Sequence, residues 1–154
     1  MQIGLHGGKS LISALIRWQT RSPYSHASIT GEDGRVIEAR EGRGVISSAR
    51  LVPAKGETVE LFRVDGLTAA QRQTIWDFAV DQIGKRYDYT MVARFLSRRQ
   101  ESRKSRGRWF CSELVFAAFA QGGVNLLERT QPWEVSPGML ARSPLLRFED
   151  ALLG

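Results

Sequence analysis

A chain of 154 residues, 42% hydrophobic and 25% charged, has the length for one domain with one sizeable core and the composition of an ordinary globular protein. Its single cysteine excludes an internal disulfide, so the fold does not depend on an oxidising compartment. The formal net charge is +6 and the isoelectric point is near 10.1; no apolar run approaches the roughly 20 residues of a membrane-spanning helix, and the start lacks the basic-then-apolar layout of a secretory signal. A cytoplasmic location is expected.

Residues 3–5 are too short an apolar run to define an element, and Gly7-Gly8 marks a turn. Ser10 is placed to cap a helix from Leu11 to about Gln19, with Leu11, Leu15 and Trp18 on one side and Ile12 and Ile16 beside them. Pro23 ends it, because proline disfavours helix in the residue before it. Tyr24 to Thr30 reads as a strand with Tyr24, His26, Ser28 and Thr30 on one face. Gly31 to Gly34 is a turn, and Arg35 to Ala39 is a second strand carrying Glu38. An odd-length loop, Gly31 to Asp33 or Thr30 to Gly34, sets Glu38 directly across from His26. A two-residue loop turns it to the opposite face.

A short strand is expected around Val45-Ile46 and a stronger one over Val59–Val64. Thr68 is the expected cap of a helix running to about Ile83, with Ile75, Phe78, Ala79 and Ile83 toward the core and Gly84 closing it. Met91 to Leu96 reads as a short helix. Between Arg94 and Arg108, seven Lys and Arg residues stand against Glu101 alone. That segment is a candidate contact for an anionic surface, whereas a single aromatic among the charges, Phe95, argues against specific nucleic-acid binding.

The segment Trp109 to Phe119 has apolar residues Phe110, Leu114, Val115 and Ala118 at helical spacing, and Gly122-Gly123 follows where the helix should stop. It places Cys111 at the start of a buried helix. There the helix dipole favours a thiolate, and the backbone N–H groups are free to bind an oxyanion. Beyond it, Ser136 to Leu140 is expected to begin a brief helix and Leu145 to Phe148 a final strand. The expected class is α+β: a small, mostly antiparallel sheet or barrel with helices packed against it, in a single domain over 1–154.

Cys111, His26 and Glu38 together hold a nucleophile, a base and an orienting acceptor, the parts a cysteine hydrolase needs. This reading requires the sulfur to meet the imidazole and the carboxylate at the mouth of a cleft. Tyr24 shares a face with His26 and is a candidate substrate contact, as is Ser112 beside the cysteine. Tyr87 and Tyr89 are expected to pack under the cysteine helix, Glu113 to hold a neighbouring loop, and His6 to lie on the surface. The set has too few further ligands for structural zinc, so no metal or other cofactor is expected.

The segments Leu11–Thr20, Tyr24-Ser-His-Ala-Ser-Ile, Val36-Ile-Glu-Ala, Tyr87-Asp-Tyr and Phe110-Cys-Ser-Glu-Leu-Val resemble the circularly permuted papain-like amidases related to the NlpC-type cell-wall peptidases. In that family the histidine strand precedes the cysteine helix. The resemblance implies a papain-like fold and hydrolysis of a peptide or N-acyl amino acid amide through a thioacyl-enzyme, with Cys111 as nucleophile, His26 as base and Glu38 as third member. Two alternatives accompany it. One is a lipid acyltransferase or thioesterase like the lecithin:retinol acyltransferase group, which is similar in the same core motifs. The other is a non-catalytic module gripping a polyanion through Arg94–Arg108.

Overall fold

The computed structural model describes residues 1–90 and 107–154. Strands β1 (Gln2–Gly7), β2 (His26–Thr30), β3 (Val36–Arg40), β4 (Gly44–Ser48), β5 (Thr58–Val64) and β8 (Leu146–Leu153) form one antiparallel sheet, ordered β4-β3-β2-β1-β5-β8. Two short strands, β6 (Arg86–Tyr87) and β7 (Arg108–Trp109), pair in parallel beside it. The helices are α1 (Leu11–Thr20), α2 (Ala69–Asp81), α3 (Cys111–Gln121) and α4 (Pro137–Leu140), with a 3-10 turn at Pro132–Glu134. The α+β class holds, and α3 packs against β2, β3 and α2.

The inner strand β1 is the element the sequence understates. It lies between β2 and β5, and Ile3, Gly4, Leu5 and His6 are all buried. A strand covered on both faces loses the polar alternation that marks a half-exposed one. The final strand is also longer than its apolar residues suggest, because pairing with β5 carries it on through Glu149, Asp150 and Ala151.

Ser10 caps α1 as expected, accepting the Ser13 N–H at 3.0 Å. The helix faces the core through Ile16, with Ile12 packed beside it, and this turns Leu11 and Trp18 outward, 90% and 72% exposed. Thr68 and Gln71 form a reciprocal cap on α2. Ile75 and Ala79 are fully buried and Phe78 packs partly, but Ile83 lies beyond the helix end and is exposed. Gln82 turns inward instead, donating to the Phe78 carbonyl and accepting the Trp109 indole N–H at 3.1 Å. The expected 91–96 helix and the basic segment up to Arg106 lie outside the described residues. Among the described residues, no helix is long and apolar enough to cross a membrane.

At the end of α3 the two glycines do different jobs. Gly123 takes the left-handed conformation, φ 74°, which glycine adopts without steric cost. Gly122 has an ordinary φ, but a Cβ there would stand 2.5 Å from Ile75 Cγ1. Its lack of a side chain is what lets α3 close onto α2. Gly122→Ala is therefore expected to cost about 1–3 kcal/mol, seen as a lower urea midpoint with an unchanged slope. An unaltered midpoint would mean that the contact relaxes freely.

Candidate active site

Cys111 is positioned by what precedes it. Trp109 packs edge-on to Phe78 at 5.9 Å and donates to Gln82, and its carbonyl accepts the Asp88 N–H at 2.9 Å. Phe110 is fully buried against Tyr87, ring centroids 5.8 Å apart, and is the N-cap of α3. Its N–H donates to the Glu113 carboxylate at 3.3 Å, so Glu113 serves the start of its own helix as well as lying buried. The Cys111 N–H is left in the first turn without an acceptor among the described residues, at the end of the helix where partial positive charge collects.

The β2–β3 hairpin takes an odd-length loop, but not one of the two that set Glu38 directly across from His26. Ile29 pairs with Ile37 and Thr30 with Val36, so five residues, 31–35, form the loop. Continued inward, that register sets Glu38 across from Ser28 and diagonal to His26. The face is still shared, since an odd loop preserves it. The longer side chains close the offset: His26 Nε2 lies 2.5 Å from Glu38 Oε2. Glu38 Oε1 lies 3.8 Å from Arg40 Nε.

Burial disfavours a charged His26, but interaction with Cys111 and then with Glu38 outweighs it and raises its pKa to about 10. Burial likewise opposes ionisation of Glu38, and the hydrogen bond and charge of His26, with Arg40 and His6, overcome it and hold the carboxyl below its usual range. Sulfur, imidazole and carboxylate thus interact. The sulfur, however, is fully buried rather than open at a cleft mouth.

His6 is the residue that sequence reasoning missed. It is buried, and the β1–β2 register sets it directly opposite His26, with the rings edge to face at 4.8 Å. Its Nε2 lies 2.9 Å from Ser28 Oγ and its Nδ1 3.1 Å from Glu57 Oε1. A Cβ on Gly4 would come within 2.6 Å of Ser28 Oγ, so that glycine makes room for the pairing. Burial holds the pKa of His6 below its ordinary value, and the nearby His26 adds to this against the pull of Glu57. A neutral ring satisfies both contacts, with Nδ1–H donating to Glu57 and Nε2 accepting the Ser28 hydroxyl. Glu57, bonded to His6 and to the Ala54 N–H, falls to about 2. The only sequence signal was a histidine between two short apolar residues and a glycine pair, which does not distinguish surface from core.

A cavity of about 330 Å³ opens beside His26 and is also lined by Ile12, Ile16, Ser25, Arg40 and Tyr87. Tyr87 is buried, and burial followed by the proximity of Cys111 raises its phenol pKa. Tyr89 is instead half exposed, accepting the Gly42 N–H. Tyr24 precedes β2 and donates its hydroxyl to Glu60 at 2.6 Å; it does not line this cavity. The Ser112 hydroxyl is buried and donates to the Val135 carbonyl at 2.6 Å, tying α3 to the 3-10 turn. His6, His26 and Glu38 bring ligand atoms within 4.8 Å of one another. Both nitrogens of His6 and Nε2 of His26 are already engaged, so these residues do not present an open cation site.

A cysteine at the head of a buried helix, beside a histidine on an earlier strand, is the layout of a permuted papain-like hydrolase. The family described as permuted papain-like amidase enzyme, YaeF/YiiX, C92 family, matches residues 6–134, and the chain belongs to it. It is a cysteine peptidase or amidase by class. The chain is similar over 99% of its length to the crystal structure of yiiX from Escherichia coli O157:H7, described as a metalloprotein. The match covers 97% of that chain, at 18% identity and a TM-score of 0.70. No curated protein matches.

Because the His26 pKa is raised from 6.5 to about 10, its contribution to stability is fully present below about pH 6.5 and is lost as pH rises through about 10. Side-chain ¹⁵N spectra are expected to show a doubly protonated His26 and a neutral, Nδ1-protonated His6 at pH 7. A His26 that titrates near 6.5 would break this assignment.

Proposed function

We propose that the chain hydrolyses an amide, of peptide or N-acyl amino acid type, through a thioacyl-enzyme, with Cys111 as nucleophile, His26 as acid–base group and Glu38 holding the imidazole. The interaction of His26 with both Cys111 and Glu38 carries the reading. Cys111 Sγ attacks the carbonyl carbon, and the oxyanion is met by the Cys111 N–H at the head of α3. His26 passes its proton to the leaving amine as the C–N bond breaks. The imidazole then takes a proton from water, the resulting hydroxide attacks the thioester, the acid departs and the thiolate–imidazolium pair is restored.

The cavity beside His26 and Tyr87 is the proposed substrate site. Because the sulfur is buried, its use requires the side chains around it to part as substrate enters. The element order supports kinship with the NlpC-type peptidases. The metalloprotein description of yiiX brings no metal step to this reading, since the nearby ligand atoms are already engaged, those of His6 by Glu57 and Ser28 and those of His26 and Glu38 by each other.

With one cysteine in the chain, iodoacetamide alkylation reports on Cys111 alone. The wild type is expected to react rapidly at neutral pH. His26→Ala should slow the reaction by at least about a hundredfold, and Glu38→Gln by about tenfold, compared at a temperature where circular dichroism shows each variant folded. Exhaustive chelation should leave the wild-type rate unchanged. Alkylation that proceeds only above about pH 8.5, the range of an ordinary thiol, or is indifferent to His26→Ala, would sink the mechanism.

A further inference from the structure

On α1, Leu11, Ala14, Leu15 and Trp18 recur at helical spacing along one face. That face points outward: Leu11 is 90% and Trp18 72% exposed. The neighbouring face of the same helix supplies Ile12, Ser13 and Ile16 to the wall of the cavity beside His26. Leaving a Leu and a Trp bare on a ten-residue helix is costly in water, and large exposed apolar groups set together mark a contact surface. The charge around them has one sign. Lys9, Arg17 and Arg21 flank the stripe, no Asp or Glu occurs before Glu32, and the whole chain is +6.

We propose that α1 docks on an anionic lipid bilayer, with Leu11 and Trp18 entering the interfacial region and Lys9, Arg17 and Arg21 meeting lipid phosphates and carboxylates. Tryptophan favours the headgroup level of a membrane, and an amphipathic helix with basic flanks lies in that plane. Each nearby Lys or Arg adds attraction to an anionic leaflet. A second copy of the chain fits less well. A stable dimer buries about 800 Å² per partner, more than one short stripe offers, and like-charged flanks would oppose each other. Docking this way brings the cavity rim against the bilayer. The proposal stands whether or not Cys111 acts as the nucleophile.

The test is co-sedimentation of the intact chain with phosphatidylcholine vesicles, with and without phosphatidylserine. Binding is expected only with phosphatidylserine present and should weaken as salt is raised. Leu11→Ser/Trp18→Ser should lower partitioning at least about tenfold, while the melting temperature and the iodoacetamide rate at Cys111 stay unchanged. In the wild type, lipids brominated on the acyl chain should quench tryptophan fluorescence, and the Trp18→Ser variant should lose that quenching. No binding by the wild type overturns the proposal. So does equal binding by the double variant, which assigns docking to basic residues elsewhere, or a concentration-dependent dimer that the double variant abolishes, which assigns the face to a second copy.

Discussion

The site depends on a buried proton held between unlike neighbours. His26 sits where burial alone would strip its charge, yet the carboxylate of Glu38 at 2.5 Å and the nearby Cys111 keep it protonated far above its usual range. In a medium of low polarity, removing one member leaves the others uncompensated. The rest of the local structure serves that balance. Neutral His6 occupies the flank of His26, where a second imidazolium would repel the first. Burial keeps His6 neutral against the pull of Glu57, and Ser28 and Glu57 can both bond the neutral ring.

The geometry that assembles these groups comes from two independent constraints. Cross-strand register across β1, β2 and β3 puts His6, His26, Ser28 and Glu38 on one buried face of the sheet. Packing of α3 against α2 then brings the cysteine to that face, and it is anchored at both ends. Trp109 and Phe110 lock the entrance of the helix against Phe78, Gln82 and Tyr87. Gly122 allows its exit to close on Ile75. Ser112 fastens the first turn to Val135. A shift of one register step, or of one helical turn, would separate sulfur from imidazole, which explains why so much of the hydrogen bonding near the site concerns position.

Helix α1 shows how one element can serve two environments. Its Ile12 and Ile16 side meets the cavity and core, whereas its Leu11 and Trp18 side meets solvent. Both sides are apolar, so periodicity alone does not say which one the core takes. The choice is made by where β1 and β2 place the helix.

Much of this protein is legible without coordinates. Ser10 and Thr68 as caps, the buried α3 with Cys111 at its head, the β2 and β3 strands and the order His26, Glu38, Cys111 all follow from local spacing and side-chain chemistry, because caps and amphipathic periods are set within a few residues. What the fold alone decides is long-range. The span of β1 and the burial of His6 depend on partners more than twenty residues away. The diagonal meeting of Glu38 with His26 depends on a five-residue loop whose conformation no local pattern dictates. Inward Gln82 and outward Ile83 depend on where α2 ends against Trp109, and the burial of the sulfur depends on α3 packing against β2, β3 and α2. Sequence determines which groups are available; tertiary packing determines which of them lose their water, and so which of them change their charge.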